Sequence, residues 1–219
     1  MRKLIAAAFV SLDGVMQAPG GPEEDPTGGF THGGWTFHYW DELMGQSMGD
    51  LFNIPYDLLL GRETYEIFAA HWPFLKDDPI ADSFNRVTKY VATRSNPPLT
   101  WQNSVALHDA AKDVARLKRE EGRALLTQGS SNLLQTLLQE NLIDEFRLLT
   151  FPLLLGNGKK LFGEGTVPKA LTLVSSKVST TGVTISTYTP GGEIRAGSFQ
   201  LSEPTQAELV RRERMKREG

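Results

Sequence analysis

The sequence predicts an α/β fold with a mixed, mostly parallel central sheet, helices on both faces and an antiparallel hairpin at its C-terminal end. Three observations predict it. Short apolar segments alternate with helical patterns, the segment Leu4–Val10 is continuously apolar, and the last two strand-like segments have no helix between them. Alternating strands and helices favour parallel pairing, a fully apolar run favours a strand buried on both faces, and a helix-free connection favours an antiparallel pair.

The first half of the chain is predicted to hold three strands and two helices. Residues 17–34, rich in Gly and Pro, are predicted to form a long loop, and loops of this length in a compact domain are commonly functional. Apolar side chains at three- and four-residue spacings predict the helices. The elements, in order, are strand Leu4–Val10, helix Tyr39–Phe52, strand Tyr56–Leu60, helix Thr64–Ala70 and, after a polar connection containing proline, strand Lys89–Thr93.

The second half continues the alternation and then ends in strands. The short turn Thr181-Gly182 predicts that the last two strands form a hairpin. The elements are strand Ser104–Leu107, helix Asp109–Glu121, strand Arg123–Thr127, helix Leu133–Gln139, strand Ile143–Phe151 and the hairpin strands Leu171–Ser179 and Val183–Thr189. We expect one domain over residues 1–190, followed by a tail over residues 191–219 that forms a surface helix because it has many charges and few apolar residues.

Composition excludes several classes of function. The net charge of -3 gives no reason to expect nucleic-acid binding, and no apolar stretch is long enough to span a membrane. The absence of cysteine excludes disulfides, thiolate metal sites and a cysteine nucleophile. The four histidines show no ligand spacing, so we expect no metal. With no signal-peptide pattern at the start, we expect a cytoplasmic protein.

Three predicted strands end in groups that bind anions. The strand at Leu58–Leu60 runs into Gly61-Arg62-Glu63-Thr64 at the start of a helix, and a later strand runs into Gln128-Gly129-Ser130 before another helix. The strand between them ends in Thr93-Arg94-Ser95. Helix starts present free N–H groups and a positive dipole end, and glycine allows a phosphate to approach the backbone closely. The pattern predicts a dinucleotide site.

These motifs resemble those of the dihydrofolate-reductase-like fold, and within it the C-terminal reductase domain of the riboflavin-pathway deaminase-reductases. The resemblance covers about residues 2–190. GRETYE at Gly61–Glu66 is similar to the GRxTWE turn of dihydrofolate reductases. The further matches are VATRS at Val91–Ser95, QGSSNL at Gln128–Leu133, the LVDE-like segment Ile143–Glu145 and SLDG at Ser11–Gly14.

The resemblance implies NADPH or NADP as cofactor. It implies that Gly61, Arg62 and Thr64 hold cofactor phosphates, and that Ala7 or Ala8 contacts the nicotinamide. The adenosine 2′-phosphate would be bound by Thr93, Arg94 and Ser95, and the pyrophosphate by Gln128, Gly129 and Ser130. Asp13 is the candidate catalytic residue and would lie on the substrate side, although Asp-Gly is equally typical of a tight turn.

The resemblance also implies a small, flat heterocycle as substrate. We expect it under the 17–40 loop near Asp13 and Trp35, where aromatic residues form either a flat pocket wall or a cap over the core. The leading hypothesis is an NADPH-dependent reductase of a pterin-like or aminopyrimidine-like compound, similar to 5-amino-6-(5-phosphoribosylamino)uracil reductase. Family resemblance and the hydrophobic final strands also suggest a homodimer.

Two alternatives stay open because the sequence departs from both branches of the fold. The riboflavin branch has a glutamate where this chain has Gln128, its substrate-phosphate arginines have no clear counterpart, and the zinc signature of the deaminase is absent. Gln128 and the missing substrate arginines favour a non-catalytic nucleotide-binding protein. The other alternative is dihydrofolate reductase proper, for which only Asp41 or Glu42 could supply the substrate carboxylate, although both acids also suit a helix start.

Overall fold

A computed structural model describes residues 1–164 and 166–218. Its centre is an eight-stranded sheet in the order β4-β3-β2-β5-β1-β6-β8-β7. The first six strands are parallel, and β8 pairs antiparallel with both β6 and β7. The strands are β1 (Leu4–Ser11), β2 (Tyr56–Gly61), β3 (Lys89–Ala92), β4 (Ser104–Leu107), β5 (Ala124–Thr127), β6 (Glu145–Phe151), β7 (Leu171–Val178) and β8 (Thr184–Pro190).

Helices cover both faces of the sheet and complete three layers. The helices are α1 (Glu42–Phe52), α2 (Arg62–Ala69), α3 (Pro79–Arg86), α4 (Ala110–Arg119), α5 (Ser131–Gln139) and α6 (Gln206–Glu218). The first three pack on one face and α4 and α5 on the other, whereas α6 has no buried residue. None of the helices in the described ranges is long and apolar enough to cross a bilayer.

Strand β1 lies between β5 and β6 and divides the core into two halves. Leu4, Ala6 and Ala8 pack towards α4 and α5, whereas Ile5 and Ala7 pack towards α1. Successive side chains of a strand point to opposite faces, so a central strand must be apolar at every position. The predicted fold class, a mostly parallel sheet with an antiparallel C-terminal hairpin, is confirmed.

Two helices differ from the sequence prediction. The connection before β3 contains α3, which begins with Asp78 as N-cap and Pro79 at its first turn and buries Ala81 and Phe84. These are ordinary helix-start signals, but the helix has only eight residues and its apolar stripe is short. The predicted helix from Tyr39 begins later, because a short 3-10 helix ends at Tyr39 and Asp41 is the N-cap of α1.

Arg2 joins four strands at the amino-terminal edge of the sheet. The residue is 4% exposed, and its side chain donates to Asp57 Oδ2 at 2.5 Å and to the carbonyl of Arg123 at 2.7 Å. A third bond, 3.3 Å long, reaches the hydroxyl of Tyr90. The guanidinium immediately before β1 therefore holds the starts of β2, β3 and β5 in register.

Substituting Asp57 with Ala tests this clamp. The change leaves the Arg2 charge buried without its carboxylate, so we expect a loss of about 3–5 kcal/mol in the free energy of unfolding, measured in urea. Glu121→Ala, which removes an exposed carboxylate between α4 and β5, should change it by less than about 0.5 kcal/mol. Equal effects of the two substitutions would contradict the assignment.

Candidate active site

The three predicted strand ends lie side by side at the carboxyl edge of the sheet. Gly61 pairs with Ala92, the residue before Thr93, and its N–H donates to the carbonyl of Gly129 at 3.1 Å. Strands β3, β2 and β5 are consecutive in the sheet. Ligands of open α/β sheets bind outside this edge.

The turns after β2 and β5 are in direct contact, and only glycine fits there. A Cβ added at Gly61 would lie 2.2 Å from Ser130 Oγ and 3.0 Å from the Ser130 nitrogen. A Cβ at Gly129 would lie 2.8 Å from Thr64 Oγ1, and its φ of +139° is rarely adopted by other residues. The peptide between Gly129 and Ser130 is cis.

The helices that begin at this contact differ from α1, α3 and α4 in their N-caps. Asp41, Asp78 and Asp109 cap α1, α3 and α4 through hydrogen bonds from backbone N–H groups. Helices α2 and α5 begin after Gly61 and Ser130, and no side chain caps either of them. The first backbone N–H groups of both helices therefore face the carboxyl edge without a side-chain cap, which suits an anionic ligand.

A cleft of about 1130 Å³ opens at the same edge. Residues predicted for the site line it, namely Ala7 and its alternative Ala8, Thr64, Gln128, Gly129 and Ser130. Further walls come from α1, from the loop over residues 16–25, from α2 and from β6, β7 and β8. The first half of the long loop thus lines the cleft.

The other predicted phosphate-binding residues stand beside the cleft rather than in its lining. Gly61 lies behind Ser130, and Arg62 is exposed with its Nε 3.5 Å from Glu66 Oε1. Thr93 Oγ1 accepts from the Ser95 nitrogen at 3.2 Å, which fixes the turn after β3. Arg94 in that turn is exposed and has no hydrogen-bond or ion-pair partner among residues 1–164 and 166–218.

Asp13, the expected catalytic residue, does not line the cleft and is occupied by structural bonds. Ser11 Oγ donates to its Oδ1 at 2.5 Å, and the backbone nitrogens of Leu155 and Gly156 donate at 3.1 and 2.7 Å. The Ser11 bond, followed by those backbone bonds, lowers the pKa of Asp13 to about 2. At neutral pH this carboxylate is ionised and holds no proton to donate.

Trp35 and Asp41, the other expected substrate residues, also lie outside the lining. Trp35 Nε1 donates to the carbonyl of Gln17 at 2.8 Å, so the ring supports the loop from below. Asp41 Oδ1 accepts from the Met44 nitrogen, and Oδ2 accepts from the backbone and hydroxyl of Thr180. Asp41 therefore connects α1 to the hairpin turn. Among the aromatic residues predicted at the end of the long loop, Trp40 lines the cleft, and the α1 carboxylate there is Asp50.

Lys159 fastens the loop across the cleft. Its Nζ lies 2.8 Å from Asp25 Oδ2 in the loop and 2.8 Å from Glu63 Oε2 in the first turn of α2. Gln17 adds two bonds from its amide to the carbonyls of Asp25 and Thr27, both 2.9 Å long. Sequence reasoning missed Lys159 because its partners are far away along the chain.

Glu24, in the same loop, is a half-buried carboxyl in the cleft lining. Its Oε2 accepts from the nitrogens of Gly20 and Gly21 at 2.6 and 3.0 Å. Burial raises the pKa of Glu24 above its ordinary value, although these two bonds oppose the change. A carboxyl with a raised pKa in a cleft is a candidate for holding a proton. Its sequence signal was limited to the acidic run of residues 23–25.

Substituting Lys159 with Gln should release the loop. Without the ammonium, Asp25 and Glu63 repel each other, so we expect amide hydrogen exchange over residues 17–25 to become about threefold to tenfold faster. Lys160→Gln is the matched control, because the exposed Lys160 forms no ion pair in the described chain. Unchanged exchange in Lys159→Gln would show that the other loop contacts are sufficient.

Comparisons with known proteins agree with this architecture. The chain is 25% identical over 190 residues to the uncharacterized protein YyaP of Bacillus subtilis, a match that covers 83% of this chain and 92% of YyaP. A proposed riboflavin biosynthesis protein from Shewanella sp. PV-4 has a similar structure, with a TM-score of 0.59, 22% identity and coverage of 86% of this chain and 99% of that one.

Dihydrofolate reductase from Enterococcus faecalis, solved in complex with NADP(H), shares the fold at a TM-score of 0.55 and 17% identity. That match covers 86% of this chain and 96% of the reductase. The family model of the RibD C-terminal domain matches residues 2–185, nearly the whole sheet and its helices. The chain therefore belongs to the RibD C-terminal domain family.

Proposed function

We propose that the protein is an NADPH-dependent reductase of a small, flat heterocycle. The observation that carries the proposal is the pair of uncapped helix starts, α2 and α5, brought into contact at Gly61 and Ser130 beside the cleft. Family membership and the NADP(H) complex of the structurally similar dihydrofolate reductase support the same cofactor. A pterin-like or aminopyrimidine-like ring is the substrate class that fits these relatives.

The residues at the carboxyl edge suit the cofactor. The N-termini of α2 and α5, with the hydroxyls of Thr64 and Ser130, would hold the pyrophosphate, and Gln128 and Gly129 would line its path. Arg94, with Thr93 and Ser95 in the turn after β3, would hold the 2′-phosphate, because its guanidinium is exposed and without a protein partner in the described chain. Ala7, small and in the lining, leaves room for a flat ring against β1.

NADPH, when bound, supplies the hydride. The chain's own contribution is to hold the two rings together, exclude water and provide a proton. The loop over residues 16–25 covers the cleft and is held down by Lys159, which serves water exclusion. Glu24 is better suited than Asp13 to hold the proton, because burial raises the pKa of Glu24 whereas hydrogen bonds keep Asp13 ionised.

Dihydrofolate reductase proper is the second candidate, and one observation favours it. Asp50 of α1 lines the cleft, so the first helix does offer a carboxylate there, although not the expected Asp41. Reduction of dihydrofolate by the purified protein, followed as loss of NADPH absorbance, would establish this activity. A binding protein without turnover would bind NADPH and consume none with pterins or aminopyrimidines.

Calorimetric titration with NADPH and NADH tests the cofactor proposal. We expect tighter binding of NADPH, and Arg94→Ala should weaken NADPH binding about tenfold or more while changing NADH binding little, because only NADPH carries the 2′-phosphate. Arg119→Ala, at the far face of the molecule, should affect neither. If Arg94→Ala weakens both equally, the 2′-phosphate assignment is wrong, and if neither nucleotide binds, the proposed function is wrong.

Substituting Gly61 with Ala tests the contact between the two turns. The added Cβ would overlap the side chain of Ser130 and would also press against its backbone nitrogen. A side-chain rotation alone cannot relieve this overlap, so the two turns must separate. We expect at least a tenfold loss of NADPH affinity and a lower melting temperature. Gly45→Ala in α1 is the control: its Cβ would meet nothing within 4 Å, and it should stabilise the helix by about 0.5–1 kcal/mol. Unchanged NADPH affinity in Gly61→Ala would contradict the assignment.

A further inference from the structure

The antiparallel end of the sheet brings two basic side chains to the cleft. Strand pairing places Arg147 of β6 opposite Thr187 of β8, and Thr187 opposite Ser175 of β7. The next row on the same face runs from Leu149 through Ile185 to Lys177. All six residues line the cleft, and β6 and β7 are separated by two strand spacings, about 10 Å. Long side chains from both strands can reach one ligand group.

An irregularity in β7 determines which of its residues face the cleft. The register shifts between Leu173, which pairs with Tyr188, and Ser175, which pairs with Thr187. An extra residue in one strand reverses the alternation of the side chains that follow it. As a result, Ser175 and Lys177 lie on the cleft face, whereas Ser176 bonds Ser186 on the opposite face at 3.1 Å.

Arg147 and Lys177 both have side-chain N–H donors without an acceptor in the part of the chain that the structure describes. Arg147 Nε donates to Glu145 Oε1 at 2.7 Å, but its two terminal nitrogens have no acceptor among residues 1–164 and 166–218. Glu145 also accepts from Lys3 Nζ at 2.5 Å, so its charge is shared between two cations. Lys177 has neither a hydrogen bond nor an ion pair in the same ranges.

The third basic residue of the cleft, Lys159, is different. It is already neutralised by two carboxylates at the opposite end of the cleft, where the side chains of Glu24 and Glu66 also lie. The lining is therefore acidic under the loop and basic at β6 and β7. This polarity would orient an elongated ligand with its negative group towards Arg147 and Lys177.

Flat apolar surface adjoins the basic end. The rings of Phe9 and Trp40 meet edge to face with centroids 6.0 Å apart, and both line the cleft. Phe9 pairs with Leu149, next to Arg147, and Trp40 is 48% exposed. A planar ring on this surface would place a substituent within reach of the two cations.

We propose that Arg147 and Lys177 form a subsite for an oxyanionic substituent, a carboxylate or a phosphate, on the substrate ring. This inference rests on the proposed function. It assumes that the cofactor lies at the carboxyl ends of β2, β5 and β1 and that the substrate occupies the remainder of the cleft. Arg147 contributes a planar pair of donors and Lys177 a mobile ammonium, with the hydroxyls of Thr187 and Ser175 between them. The substrate class is thereby narrowed to flat heterocycles that carry a negative group.

Two matched ligand pairs test the subsite by calorimetry on protein saturated with NADP and on free protein. FMN and riboflavin differ by a phosphate, and pterin-6-carboxylate and pterin differ by a carboxylate. We expect the charged member of at least one pair to bind about tenfold or more tightly than its neutral partner. The pair that shows the preference identifies which of the two anions the subsite accepts.

The variants Arg147→Gln and Lys177→Gln should each reduce that preference at least threefold, and the double variant should abolish it. Lys112→Gln removes an exposed charge from α4 and should leave the preference unchanged. No preference in either pair, including no binding, overturns the proposal, as does a preference that survives the double variant. Titration of the same samples with NADP reports on the cofactor separately, so a lost cofactor site and a lost anion subsite give different results.

Discussion

The candidate site depends on the contact between two turns whose glycines lie 68 residues apart. Because Gly61 has no side chain, the end of β2 can touch Ser130, and because Gly129 adopts a positive φ, its turn can pass close to Thr64. This contact aligns the starts of α2 and α5, so that two weak dipole ends act on one place. Either helix start alone would be an ordinary strand-to-helix turn. A candidate anion-binding site arises because the starts of α2 and α5 lie next to each other.

The two edges of the sheet are stabilised in opposite ways. At the amino edge, Arg2 is buried and bonded to Asp57, Tyr90 and Arg123, so its charge is satisfied by the protein itself. At the carboxyl edge, α2 and α5 lack side-chain caps and the cleft remains open. Backbone N–H groups without protein partners cost stability, and those at the starts of α2 and α5 lie at the edge where a ligand can compensate for them.

The sequence predicted those features that depend on local patterns. The apolar run of β1 and the glycine turns at Gly61 and Gly129 are readable from neighbouring residues, so the fold class and part of the cleft lining followed. The helix α3 was missed because its apolar stripe is short. Asp13 and Asp41 were expected near the substrate because the family resemblance implied it, but backbone N–H groups occupy both carboxylates. The bonds from Gly156 to Asp13 and from Thr180 to Asp41 become visible only in the structure, because the partners are more than a hundred residues apart.

The basic end of the cleft was not predictable for a different reason. Arg147 and Lys177 share a face because β8 lies between β6 and β7 and because β7 changes register after Leu173. Neither strand order nor register can be read from one strand's pattern, and a shift of one residue would turn Lys177 to the other face. A binding site formed by residues of different strands can therefore be identified only once the structure gives the strand order and register.

The central position of β1 also constrains how the chain acquires its structure. Leu4 pairs with Leu125 and Ile5 with Glu145, so the first strand has no neighbour in the sheet until more than a hundred further residues have been synthesised. During translation its apolar run must remain unpaired while β2 and β3 can already associate. Such distant pairings close slowly and leave hydrophobic surface exposed to other chains. The strand at the centre of the folded core is thus synthesised first and is the last of the early strands to find its neighbours in the sheet.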